Sequence, residues 1–217
     1  MAQLARTAYP GTDIGFVPTY SGGMFEALAA DVVVPETSWG PRSFGEAGAQ
    51  AVKVQIRYAT EELHYPVWGM SPSSTPDDTG GYGGFGAEGQ EFPYHGAGAT
   101  SSDPNLGLSQ SVTCATEDVV TPHASFLALD VAPQRAHANI TNLRRLYPDI
   151  YGSRGFFDAV NPATGAVGHR YLVLDQSMIL GSLDNALANR ALQRHFAADP
   201  MSSAARTYLS IENMFVR

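Results

Sequence analysis

The stretch Phe44-Gly45-Glu46-Ala47-Gly48-Ala49-Gln50-Ala51-Val52-Lys53-Val54-Gln55-Ile56-Arg57-Tyr58-Ala59-Thr60-Glu61-Glu62-Leu63-His64 decides the fold class. Ala47, Ala51, Val54 and Tyr58 recur at helical spacing, and Val52, Ile56, Ala59 and Leu63 form a second stripe beside the first. A helix this apolar is buried on more than one side. It carries the only lysine of the chain, Lys53, and Pro66 bars its continuation.

Upstream, residues 1–20 read as an irregular entry broken by Pro10-Gly11 and Pro18. Ser21 is placed to cap a helix beginning near Gly22, with Met24, Phe25, Leu28 and Ala29 as its apolar face and Pro35 as its limit. Downstream, residues 69–117 show no sustained periodicity. Pro72, Pro76, Gly80-Gly81, Gly83-Gly84, Gly86, Gly89, Pro93 and Gly96 interrupt them, while Tyr82, Phe85, Phe92 and Tyr94 supply aromatics. Disordered segments are poor in aromatics, so this stretch reads as an ordered loop covering a site.

Helical patterns return over Ala124 to Leu129. Pro133 suits the first turn of the next helix. Ala136, Ile140, Leu143 and Leu146 form that helix's apolar face, and Pro148 stops it. Residues 152–168 read as loop. Asp175 to Leu192 is the last strong helix, with Met178, Ile179, Leu183, Ala186, Leu187 and Ala191 on its buried side, and a final helix covers about Ser203 to Phe215. Strand signals are weak throughout. The expected fold is all-α, one domain over residues 1–217, built of antiparallel helix pairs with loops gathered at one end. A helical bundle has short connections, so part of an α/α toroid fits the long loops better.

Composition narrows the function. The chain has 217 residues, 44% hydrophobic and 16% charged, against about 25% charged in a typical soluble domain. Its net charge of -8 argues against a nucleic-acid partner, which wants a basic surface. No apolar run is long enough to span a membrane, and Met1 to Pro10 has no apolar signal core. One cysteine forms no internal disulfide and no thiolate metal cluster; Cys114 has no adjacent base. Nothing matches a nucleophile elbow or a phosphate-binding lysine motif. No cofactor and no metal are expected: Asp77 and Asp78 sit in a Pro-Asp-Asp-Thr-Gly-Gly turn that turn chemistry explains.

Carboxylates beside aromatics remain. Glu26 follows Ser21-Gly22-Gly23-Met24-Phe25 in the first turns of a helix, a position the helix dipole also favours. Asp158 lies within Gly155-Phe156-Phe157-Asp158-Ala159-Val160-Asn161-Pro162, either buried in a hydrogen-bond network or exposed at a cleft. Asp175 follows Arg170-Tyr171-Leu172-Val173-Leu174, where an N-cap role is the plain alternative. Glu117 and Asp118 read as helix caps. Glycoside cleavage needs one acid to protonate the leaving oxygen and a base or nucleophile; Glu26, Asp158 and Asp175 are the candidates. Trp68 opens the long loop, where it either stacks on a sugar face or plugs the core. His95, Arg154, Arg170 and Gln176 are placed to orient hydroxyls or water.

Five stretches carry a resemblance: Ser21-Gly22-Gly23-Met24-Phe25-Glu26, Pro66-Val67-Trp68-Gly69-Met70-Ser71, Val120-Thr121-Pro122-His123-Ala124, Gly155-Phe156-Phe157-Asp158-Ala159-Val160-Asn161 and Tyr171-Leu172-Val173-Leu174-Asp175-Gln176. In this order and spacing the chain resembles the glycoamylase-like family of bacterial glycoside hydrolases, which includes endo-β-1,2-glucanases and the C-terminal domain of cyclic β-1,2-glucan synthases. The resemblance implies an (α/α)6 toroid of about twice this length, of which this chain looks like the C-terminal half. It implies hydrolysis of a β-linked glucan or oligosaccharide, β-1,2-glucan favoured, with inversion. It implies Glu26, Asp158 and Asp175 as catalytic and Trp68 as a cleft residue, with Tyr82, Phe85, His95, Arg154, Arg170 and Gln176 as the remaining substrate-binding candidates. The alternative is a catalytically silent carbohydrate-binding fragment. A second chain, or a copy of this one, would complete the barrel, and the intact protein is expected in the periplasm or outside the cell. Two departures stand out: Pro72-Ser73-Ser74 where many members place a glutamate, and Asp184-Asn185 where relatives often have Glu-Asn.

Overall fold

A computed structural model describes residues 7–9, 11–17, 19, 22–76, 81–87 and 119–215. About half of these are helical. The chain enters through an antiparallel pair, β1 (Thr7–Ala8) and β2 (Gly15–Phe16), with Thr7 opposite Phe16. Then come α1 (Met24–Leu28), a 3-10 turn (Ala30–Val32), α2 (Glu36–Trp39) and α3 (Phe44–Arg57), which widens into a π turn over Tyr58–Glu62. The helical stretch expected over 44–64 is therefore present but ends in a π turn.

β3 (Ser73–Ser74) pairs with β4 (Tyr82–Gly83). α4 (Pro122–Leu127) and α5 (Pro133–Leu146) follow, each with proline in its first turn. Pro148 stops α5 and starts a 3-10 turn. The expected loop over 152–168 is organised as two small hairpins. These are β5 (Tyr151–Gly152) with β6 (Gly155–Phe156), and β7 (Ala159–Val160) with β8 (Val167–Gly168). Two-residue strands are too short to show alternation, which is why the sequence hides them. The last elements are α6 (Val173–Leu187), α7 (Ala191–Ala198) and α8 (Ser202–Ile211).

The single helix expected over Asp175–Leu192 is thus two. Asn189 and Arg190 both adopt left-handed backbone, φ 55° and 56°, which ends α6 and turns the chain. Side chains pin this turn. Asn185 Nδ2 donates to Val32 O (2.7 Å), Gln193 Nε2 donates to Asp31 O (2.6 Å), and Arg190 pairs with Asp130 at 2.7 Å. These long-range contacts offset the cost of the left-handed pair, and no local pattern announces them.

α4 is the hub. All six of its residues are buried, as expected of a helix packed on every side. It divides the interior into two clusters. One joins Met24, Leu28, Val52, Val54, Trp68, Met70 and Leu127. The other joins Val67, Val120, Phe126, Leu143, Ile150, Phe156 and Val160. Small residues let α3 approach its neighbours: a Cβ at Gly45 would lie 2.7 Å from the Glu36 carbonyl oxygen, against α2. No helix among the described residues is long and apolar enough to cross a membrane.

Candidate active site

The five motif stretches, far apart in sequence, are hydrogen-bonded into one assembly. Met24 N donates to Met70 O (2.9 Å) and Phe25 N to Ser71 Oγ (3.0 Å), tying α1 to the Trp68-Gly69-Met70-Ser71 segment. Thr121 N donates to Gly69 O (2.9 Å). Val120 pairs with Val160 in an isolated bridge. Thr121 Oγ1 donates to Asp158 O (2.7 Å), and Gln176 Nε2 to Phe156 O (3.0 Å). Asp158 Oδ2 accepts from Ser74 N at 2.6 Å, so the Pro72-Ser73-Ser74 departure stands at the site itself.

Two buried amides set the frame. Gln55, on α3, donates to Gly22 O (2.5 Å) and Met70 O (3.2 Å) and accepts from Met70 N (2.8 Å). Asn139, on α5, accepts from Trp68 N (3.1 Å) and donates to Trp68 O (2.6 Å) and Ser125 Oγ (2.8 Å). Gly22 carries φ +71°, and a Cβ there would sit 2.6 Å from Ala87 O. A side chain at that position would push the Ala87 backbone away from the segment that leads into α1.

Glu26 is the third residue of α1 and its side chain is exposed. Burial of its carboxyl by surrounding protein nevertheless raises its pKa above the ordinary value, partly offset by its own backbone N–H. Asp158 and Asp175 are 2% and 3% exposed. Asp175 lies inside the first turn of α6, and the N-cap is Leu172; capping is not its role. Its carboxyl is pushed well up by burial, then by a hydrogen bond to Asp158 and that group's charge. Two carboxyls this close hold one proton between them. The Tyr82 hydroxyl is pushed up to about 12 by burial and then by Asp175, Asp158 and Glu26 in that order. All three carboxylates contribute to that rise.

His123 stands behind the pair, 1% exposed, with Nδ1 3.6 Å from Asp175 Oδ1. Burial lowers its pKa to about 4 against the opposing pull of Asp158, so the contact is not an ion pair at neutral pH. Donor atoms of His123, Asp158 and Asp175 lie within 4.8 Å of one another, a spacing that a cation could bridge. The bonds already in place compete with that use: Thr121 occupies Nδ1 at 2.7 Å, and Ser74 occupies Asp158 Oδ2.

The remaining expected residues divide. Tyr82 is 60% exposed beside the carboxylates, whereas Trp68 and Phe85 are 5% and 3% exposed and pack in the main core. Arg170 reaches Thr75 O through Nη1 (3.2 Å), and Arg154 is exposed with its backbone N–H on the Tyr171 hydroxyl (3.3 Å). Gln176 holds Phe156. His95 lies outside the described residues, as do Ser21, Asp77, Asp78, Cys114, Glu117 and Asp118. Gln55, Asn139 and Thr121 are the site residues that sequence reasoning passed over. Their one signal is a polar side chain set on an apolar helical face or strand.

With this geometry in hand, comparison is decisive for the family. The family model described as "Putative glucoamylase" matches residues 13–200. This chain belongs to the Glycoamylase family. Within it, the chain is 28% identical over 215 residues to the cyclic β-(1,2)-glucan synthase NdvB of Rhizobium meliloti (strain 1021), covering 95% of this chain and 7% of that protein. The endo-β-1,2-glucanase of Chitinophaga pinensis, solved with sophorotriose and glucose, superposes with TM-score 0.70 at 16% identity over 96% of this chain and 46% of that one. A Bacteroides caccae structure bearing the same description as the family model gives TM-score 0.70 at 18% identity, over 95% and 46%. The fold is thus that of Glycoamylase proteins, and this chain spans just under half the length of those two solved relatives.

Proposed function

We propose that this chain carries the catalytic carboxylates of a glycoside hydrolase acting on a β-linked glucan, with β-1,2-glucan the favoured substrate. The observation behind this reading is that Asp158 and Asp175, both buried, bring carboxylate oxygens within 4.8 Å of each other, in an assembly to which hydrogen bonds tie the helix of Glu26. Glu26 opens to solvent with a raised carboxyl, which suits a general acid. The Asp158–Asp175 pair, with the Asp175 carboxyl raised by burial and by its neighbour, suits activation of water, and an acid with a separate base inverts the anomeric centre. Tyr82, Arg154, Arg170 and His95 are the residues proposed to contact the substrate.

The same reading makes this fold about half of an (α/α)6 toroid. Val173, Leu180 and Leu187 are 84%, 69% and 82% exposed along one stripe of α6, and Tyr208 and Ile211 are exposed on α8. Apolar stripes of this kind await a covering surface, and helices of a second half-barrel, on this polypeptide or another, would provide it. The intact enzyme would work in the periplasm or outside the cell. These stripes also favour the second reading, a fragment that binds glucan without cleaving it.

The test is incubation of the purified chain with linear β-1,2-, β-1,3- and α-1,4-glucans, with products resolved by chromatography and their anomers by NMR. Release of α-configured products from β-1,2-glucan is the expected result. Binding of oligosaccharide without any product selects the second reading, and neither binding nor product defeats both.

A further inference from the structure

We propose that Thr121 is a positioning residue that fixes His123 as its Nδ1–H tautomer, so that the imidazole nitrogen facing Asp175 is closed to its proton. The inference rests on the hydrolase reading only for its purpose; the tautomer stands on hydrogen-bond geometry.

The Thr121 hydroxyl has a single hydrogen. Its oxygen lies 2.7 Å from the Asp158 carbonyl oxygen and 2.7 Å from His123 Nδ1. A backbone carbonyl only accepts, so the hydroxyl hydrogen goes to Asp158 O. The Thr121 oxygen must then accept from His123, and Nδ1 must carry a hydrogen. The lone pair falls on Nε2, which is buried and has no hydrogen-bond partner among the described residues.

This assignment has a consequence for Asp175. The imidazole nitrogen nearest its carboxyl, at 3.6 Å, is Nδ1. Already protonated, Nδ1 has no capacity to take a proton from Asp175. Charging the ring instead would leave an Nε2–H donor buried without a partner, which is costly. Through Nδ1 the ring therefore takes no proton from Asp175. The other titratable groups acting on the site are Glu26 from α1 and Tyr82 from β4.

Replacing Thr121 by valine keeps the shape and deletes the relay. Nδ1 then loses its acceptor, and nothing holds the neutral ring to a single tautomer. The T121S variant retains the hydroxyl and restores the original arrangement.

The experiment is two-dimensional 1H–15N NMR of the full chain labelled at histidine nitrogen, from pH 4 to 9. Wild type and T121S are expected to show a neutral Nδ1–H ring at His123 across pH 5–8. In T121V the single-tautomer signature is expected to be lost, the Nδ1 and Nε2 shifts moving toward each other. A neutral Nε2–H ring in wild type overturns the proposal, as does a charged ring at pH 7 or an unchanged Nδ1–H signature in T121V. The wild-type spectrum decides even if T121V does not fold. None of these readouts needs turnover, so an inactive chain with the expected spectra would sink the hydrolase reading alone.

Discussion

Asp158, from the turn between β6 and β7, and Asp175, from the first turn of α6, bring carboxylate oxygens within 4.8 Å of each other. Each is buried, and Asp158 Oδ1 and Asp175 Oδ2 have no hydrogen-bond partner among the described residues. Spare acceptor capacity on two buried acids is uneconomical for stability, and it is a recurrent mark of sites kept for chemistry. Replacing either acid by its amide removes the charge and keeps the shape. D158N, D175N and E26Q are each expected to lower kcat/KM on β-1,2-glucan by about 10²-fold or more, the scale of general acid–base catalysis. Circular dichroism should show the fold intact. A variant within threefold of wild type would remove that residue from the mechanism.

The amide clamps make a stability prediction. Gln55 is 1% exposed, and its Oε1 is the acceptor for Met70 N. Gln55→Leu matches its bulk and leaves that N–H buried without a partner. The expected loss is on the order of 2–3 kcal/mol, dominated by the orphaned donor, read as a lowered denaturant midpoint at unchanged slope. A midpoint equal to wild type would mean that water or backbone movement replaces Gln55.

Much of this architecture is legible in sequence because proline and periodicity are local signals. Pro133 and Pro148 bracket α5 as read, and the stripes through Val52 and Val54 mark a buried α3. The candidate acids stand out for a different reason: Glu26 and Asp158 lie in short stretches that pair aromatics with glycines, and Asp175 follows an aromatic and three aliphatics. What stayed hidden is relational. Nothing in Asn189-Arg190 signals a left-handed turn, since Asn185 and Gln193 hold it through contacts with residues 31 and 32. Gln55 reads as a polar interruption until Met70 is placed opposite it. Trp68 opens the loop in sequence, yet its ring turns inward once Asn139 grips its backbone.

A second acid cluster lies near that turn. Asp31 and Glu36 are 3% and 7% exposed. Burial pushes Glu36 up to about 7, and burial followed by Asp130 pushes Asp31 up. Above the ordinary carboxylate range the unfolded chain releases these protons while the folded chain keeps them. Stability from Glu36 is therefore fully present below about 4.5 and is lost as pH rises toward 7. E36Q, which cannot ionise, should flatten this slope. Denaturant midpoints for wild type and E36Q from pH 4.5 to 8 check it, with the difference narrowest at the acid end. Parallel profiles would place the Glu36 proton equilibrium at its ordinary value.

Metal removal separates two uses of the His123–Asp158–Asp175 group. Thr121 holds His123 Nδ1 and Ser74 N holds Asp158 Oδ2, two of the positions a cation would take. Dialysis against EDTA should leave both thermal stability and glucan turnover unchanged. Loss of either, restored by one divalent ion, would reassign the three donors as metal ligands.

The α6 stripe yields a prediction that does not depend on catalysis. Val173, Leu180 and Leu187 recur every seven residues on one face, with Ser177 and Asp184 between them. Polar spacers of this kind keep the face helical without giving it a partner inside this fold. Leu180 and Leu187 are mostly exposed, so changing both to glutamate removes little burial within the chain. Its unfolding midpoint should move by no more than about 0.5 kcal/mol equivalent, as for other exposed positions. Association is where the change should register. Wild type is expected to self-associate as concentration rises, because an uncovered apolar stripe finds a substitute surface on a second copy. The double variant is expected to remain monomeric. Sedimentation velocity across a hundredfold concentration range distinguishes the two. A wild-type chain that sediments as a monomer throughout would show that the stripe needs no cover, and with it would fall the half-barrel reading of this face.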